Sequence, residues 1–138
     1  MSTFVMMKAV SRQLVIEEAT MSYVCSDPES YDGEVVGTGQ CVAFVQQCSG
    51  APNTGLWTEG IRVRGNRIAR GTAIATFINR KYPSKSTGNH AAIYLEQDEQ
   101  AIWVYDQWSG HPVSKRAIRF KGGKGSPSND GDAFSVID

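Results

Sequence analysis

The chain has 138 residues, 41% of them hydrophobic and 20% charged, with a formal net charge of zero. That length suits one domain able to bury a core, and the composition is that of a globular protein rather than a disordered or collagen-like one. Zero net charge gives no global reason to expect a nucleic-acid partner, and no stretch is long and apolar enough to span a membrane.

In chain order, Phe4, Val5, Ala9, Leu14, Val15 and Ala19 recur near helical spacing, so residues 4–20 read as a helix and 1–21 as an N-terminal extension. The segment is a poor signal peptide, because Arg12, Glu17 and Glu18 interrupt it and no basic region precedes it. Secretion by the general route is therefore not expected. Asp27-Pro28-Glu29 and Tyr31-Asp32-Gly33 signal turns. Gly37-Thr38-Gly39-Gln40 then leads into Cys41-Val42-Ala43-Phe44-Val45, a short helix running to about Cys48 and stopped by Gly50 and Pro52. Residues 51–70 read as a long connection. Thr72–Ile78 reads as a β-branched strand, 81–89 as a loop, His90–Leu95 as a strand, Glu96–Gln100 as a hairpin turn and Ala101–Trp108 as the next strand. Ala117–Phe120 and Ala133–Ile137 read as two further strands, separated by a glycine- and serine-rich segment, 121–131, expected to be mobile. One helix followed by an antiparallel meander is an α+β arrangement.

Charge is unevenly spread. Arg62, Arg64, Arg67, Arg70, Arg80, Lys81 and Lys85 lie between Gly60 and Leu95 without an acid among them. Such a run reads either as a face for an anionic polymer or as solvated loop charge.

Cys41 is the candidate nucleophile. In the first turn of a helix, unpaired N–H groups and the helix dipole favour the thiolate. Cys41 and Cys48 share a helix face but lie roughly 10 Å apart, too far for a disulfide. Either Cys25 and Cys48 bridge and leave Cys41 free, or all three are ordinary thiols. No Cys/His spacing suggests a metal site, and no cofactor is expected. A thiol nucleophile needs a base and the base an orienter. His90, at a strand start after Gly88-Asn89, is the candidate base. The following strand ends in Asp106-Gln107-Trp108 and returns beside His90, about 4.8 Å away if adjacent, so Asp106 or Gln107 can orient the imidazole. His111, ahead of Pro112, reads as a loop residue. Trp103 reads as core, and Trp57 and Trp108 as possible walls of a groove, Trp108 the better placed.

Gly39-Gln40-Cys41-Val42 with Gly88-Asn89-His90-Ala91-Ala92-Ile93-Tyr94 resembles the CHAP and NlpC-type cysteine amidases of peptidoglycan. Residues 22–138 resemble more closely a bacterial family of type VI secretion amidase effectors, through 37–46, 71–77, 88–95 and Asp106-Gln107-Trp108. The resemblance implies a papain-like core, with a Cys-bearing helix packed on an antiparallel sheet. It implies Cys41 as nucleophile, His90 as base and then acid, and Asp106 as orienter, with Gln107 competing for that last role. The oxyanion would be held by backbone N–H groups at the helix start, helped by Gln40, and Gln107 and Trp108 would lie toward substrate. The implied substrate is the wall stem peptide or its cross-link. The implied setting is the periplasm of a target bacterium, reached by injection without a cleaved leader. A monomer with a cognate immunity protein is expected. Two other classes use the same residues: a papain-like transferase or deamidase acting on a protein, and a non-catalytic wall-binding module that keeps a cysteine helix.

Overall fold

The computed structural model describes residues 22–83 and 85–138; the helix read over 4–20 and the extension 1–21 lie outside the described residues. A 3-10 turn at Pro28–Tyr31 precedes helix α1, Cys41–Ser49, and a second turn at Thr54–Leu56 follows it. Six strands follow: β1 (Glu59–Arg62), β2 (Ala73–Thr76), β3 (Ala91–Gln97), β4 (Ala101–Trp108), β5 (His111–Arg119) and β6 (Phe134–Ile137). They form one sheet in the order β1-β6-β2-β3-β4-β5, each antiparallel to its neighbours.

Both faces of the central strands are covered, which is why Ala73–Thr76 is buried at every position and reads as a continuous apolar run. On one face α1 packs against β3 and β4. Phe44 and Val45 of the helix meet Ala73, Ala75, Ala91, Ile93 and Tyr105, and the three alanines leave room for the helix to approach. On the other face Val63, Ile74, Ala92, Tyr94, Val104, Ile118 and Phe134 form a second cluster. The alternation of Ala73 and Ala75 with Ile74 follows the two-residue strand period.

Several expected boundaries shift. The strand read over 72–78 ends at Thr76, because Asn79 and Arg80 both take positive φ (51° and 67°) and fold Ile78 back onto Lys81. Within the connection 51–70 lies β1, whose Glu-Gly-Ile-Arg sequence carries no apolar run. The hairpin turn expected at 96–100 is tighter, since β3 runs to Gln97. There the Asp98 carboxylate accepts the N–H groups of Gln100 and Ala101. The strand read over 117–120 begins at His111. Ala133 belongs to a 3-10 turn, so the terminal strand begins at Phe134. Nor is 121–131 a plain linker. Asp130, buried, accepts the N–H groups of Lys121, Gly123 and Asp132, and Asp132 accepts that of Gly122.

Cys25 and Cys48 are joined by a disulfide with Cα atoms 5.0 Å apart, which ties the C-terminal end of α1 to the segment before the first turn; Cys41 is the free cysteine. Beside that staple, Gly71 is required by space: a Cβ there would stand 2.2 Å from the Cys25 carbonyl oxygen, and its φ is +95°.

Candidate active site

Cys41 is the first residue of α1, and Gly37 and Gly39 at φ 56° and 87° shape the turn that delivers it. Gln40 occupies the cap position in extended conformation, with no side-chain hydrogen bond to the helix. The turn is held from the sheet by Gln107. Its Oε1 accepts the Val36 N–H at 2.9 Å, and its Nε2 donates to the carbonyls of Val36 and Gln40, both at 2.8 Å. Gln107 is wholly buried. This corrects the expectation that it orients His90 or faces substrate: its hydrogen-bonding groups are spent on the backbone that positions Cys41.

Asp106 and Gln107 part company because successive strand residues face opposite ways. Tyr105 and Gln107 lie on the α1 face, whereas Val104 and Asp106 lie on the other. In the β3–β4 register Ile93 opposes Tyr105, so counting on by one residue each way sets Ala92 opposite Asp106 and His90 on the neighbouring diagonal. His90 Nε2 lies 2.7 Å from Asp106 Oδ2, with the imidazole 7% and the carboxylate 0% exposed. The backbone of His90 is pinned by Thr76, whose Oγ1 accepts the His90 N–H at 3.0 Å. With Nε2 engaged, Nδ1 is left to serve the thiol.

Electrostatics couples the pair. Burial pushes the Cys41 thiol up, but hydrogen bonding from His90, the His90 charge, the Ala91 N–H and the Tyr82 hydroxyl outweigh it and hold the thiol below its ordinary value. Burial pulls His90 down, yet Asp106 and then Cys41 raise it to about 9. Both shifts favour a thiolate beside an imidazolium.

Two residues from the loop 81–89 complete the thiol's surroundings. The Tyr82 hydroxyl is 3.8 Å from Cys41 Sγ. It accepts a hydrogen bond from Asn89 Nδ2 at 3.0 Å, and Asn89 Oδ1 accepts the Lys85 N–H at 3.0 Å. Burial first, then the Cys41 charge, hold the Tyr82 phenol above the tyrosine range, so it remains a donor. A cleft of about 320 Å³ opens over the sulfur, lined by Gln40, Cys41, Val42, Thr54, Tyr82, Lys85, Ser86 and Asn89. Trp108 is not among these residues. Its ring stacks on His111 (4.0 Å, 18°), lies under the Arg116 guanidinium (4.9 Å) and stands edge-on to the His90 ring (6.4 Å), outside the lining of that cleft. Trp57 is likewise withdrawn: it is buried against Tyr82, and its indole N–H bonds to the Pro52 carbonyl.

A family model described as domesticated amidase effector 2 matches residues 14–137. The chain belongs to the domesticated amidase effector 2 family. A type VI secretion amidase effector 2 protein of Salmonella typhi is 43% identical over 118 residues, covering 80% of this chain and 88% of the relative. Domesticated amidase effector 2 of Ixodes scapularis is 40% identical over 122 residues, 83% of either chain. Among solved structures, a type 6 secretion amidase effector 2 superposes with a TM-score of 0.74 at 37% identity, covering 84% of this chain and 94% of that one. The expected papain-like, NlpC-type α+β core is thus the fold of this domesticated amidase effector 2 family member.

Sequence reasoning missed Tyr82, Asn89 and Arg116. The first two stand in a loop with no periodicity. Arg116 stands in a second basic stretch, with Lys115, Arg119, Lys121 and Lys124, where nothing in the sequence marks it apart from its neighbours.

Proposed function

We propose that this amidase is a cysteine hydrolase that cuts an amide bond of the peptidoglycan stem peptide or cross-link, as an antibacterial effector acting in the periplasm of a target cell. The observation that carries this reading is the free thiol at the start of α1, open to the cleft and coupled to an imidazole held by a buried carboxylate. His90 takes the Cys41 proton through Nδ1, and the thiolate attacks the carbonyl carbon. The developing oxyanion is met by the Cys41 N–H. The Tyr82 proton, aimed at the sulfur by the hydrogen bond from Asn89, is a second donor; Gln40, on the cleft wall, is a third. His90 then protonates the leaving amine, and water activated by the neutral imidazole hydrolyses the thioester. A monomer suffices for this chemistry, and a producer of such an enzyme would need a cognate immunity protein.

Purified murein incubated with the protein should release muropeptides whose masses identify the bond cut. Cys41→Ala should abolish release and leave the melting temperature within a few degrees of wild type. Release at the wild-type rate by Cys41→Ala would end this reading, and modification of a protein substrate with no muropeptide release would favour a deamidase or transferase.

A further inference from the structure

A row of three charged side chains crosses one face of the sheet: His90 ahead of β3, Asp106 on β4 and Arg116 on β5. In the β4–β5 register Val104 opposes Arg116 and Asp106 opposes Ser114, so Arg116 is the diagonal neighbour of Asp106 on one side, as His90 is on the other. Both donate to the same oxygen. His90 Nε2 is 2.7 Å and Arg116 Nε 2.8 Å from Asp106 Oδ2, whereas Oδ1 is buried with no hydrogen-bond partner among the described residues. A carboxylate fully withdrawn from water is costly unless compensated, and among the described residues these two groups alone supply the ion pairing.

We infer that Arg116 is a positioning residue for the reaction: it keeps the Asp106 carboxylate compensated when His90 is neutral, and so allows the imidazole to give up its proton. The argument rests on the cysteine chemistry proposed above. During that cycle His90 alternates between imidazolium and imidazole. Were His90 the only partner of Asp106, each deprotonation would strand a buried anion, and the imidazole would hold its proton against the leaving amine. A guanidinium does not change its charge over the working pH range, so Arg116 shares the carboxylate in both states. Its own placement is fixed. The side chain is only 25% exposed, and the guanidinium rests on the Trp108 ring, which His111 supports from the start of β5. Among the described ionisable groups, Cys41 on α1 and Asp106 on β4 act on His90 directly, while Tyr82 on the 81–89 loop lies against Cys41, and on β5 Arg116 lies against Asp106 with His111 beyond Trp108. Arg116 acts on the imidazole through the carboxylate oxygen that the two share.

The test uses the full chain with Arg116→Met and Arg116→Lys, reading the His90 titration by NMR without substrate and muropeptide release against pH. Arg116→Met should move the His90 midpoint upward by about one unit and lower kcat about tenfold, with KM little changed. Arg116→Lys, which keeps the charge but not the Nε geometry, should shift the midpoint by less and recover part of kcat. A His90 titration that superimposes on wild type in folded Arg116→Met would overturn the inference, leaving Arg116 a structural ion pair. Should Arg116→Met fail to fold, Arg116→Gln, which also removes the charge, decides in its place: an unmoved midpoint overturns the inference, and an upward shift supports it. Failure of the cysteine reading is distinguishable, since Cys41→Ala would then still release muropeptides at the wild-type rate whatever the His90 titration of the Arg116 variants.

Discussion

The Tyr82 hydroxyl has one proton and two neighbours. Asn89 Nδ2 donates to its oxygen at 3.0 Å, which leaves the proton for Cys41 Sγ at 3.8 Å. Tyr82→Phe therefore removes a group that lowers the thiol pKa. The rate of Cys41 alkylation by iodoacetamide, followed against pH, should shift its midpoint upward, and kcat/KM should fall about tenfold for each pKa unit gained. An unchanged alkylation profile would show that the hydroxyl does not act on the sulfur. Residues of this kind were not legible in the sequence. Cys41, His90 and Asp106 announce themselves by chemical type and by place in their elements, whereas Tyr82 and Asn89 acquire meaning only when the loop 81–89 folds over the thiol. Asp106 against Gln107 was open for a related reason: strand alternation places them on opposite faces, and which face holds His90 depends on a register that composition does not reveal.

Among elements, the turn before α1 depends on a strand remote in sequence. Gln107 on β4 makes three hydrogen bonds to the backbone of Val36 and Gln40. Gln107→Ala would leave buried backbone groups unpaired, a cost of about 2–3 kcal/mol, and would loosen the delivery of Cys41. The urea midpoint should drop and kcat should fall with it; loss of stability with full activity would refute the link between clamp and nucleophile. The disulfide anchors the other end of the same helix, closing a separation of 23 residues. Cys25→Ala/Cys48→Ala should lose about 3 kcal/mol, a fall of roughly 10 °C in melting temperature, while retaining the chemistry; a variant as inactive as Cys41→Ala yet folded would contradict the assignment of the nucleophile. At this scale α1, β3 and β4 were legible, since each has a clean period and punctuated ends. Neither β1 nor most of β5 was: Glu-Gly-Ile-Arg and His-Pro-Val-Ser-Lys-Arg are edge or near-edge sequences whose pairing, more than their apolar content, makes them strands.

For the whole molecule, the coupled site ties stability to pH. His90 is raised from 6.5 to about 9, so the folded state binds its proton more tightly than the unfolded chain does. The stabilisation this provides is fully present below about pH 6.5 and is lost as pH rises to about 9. The lowered Cys41 thiol contributes with the opposite sign. The unfolding free energy of Cys41→Ala, measured by urea titration over that window, should therefore decline more steeply than that of Cys41→Ala/His90→Asn; parallel curves would mean that the proton is not held by the fold. The sheet order carries a consequence of another kind. The strands β3, β4 and β5 are joined in succession by short turns, whereas β6 sits between β1 and β2 and is the neighbour with which β1 pairs. During synthesis, then, the meander holding Asp106 and Arg116, with His90 at its edge, can form while β1 is still without a place. Because distant pairings close slowly, the proposed acid–base half of the site can stand ready before β6, Phe134–Ile137, draws β1 into the sheet, and a ribosome stalled before Phe134 would carry an unfinished sheet.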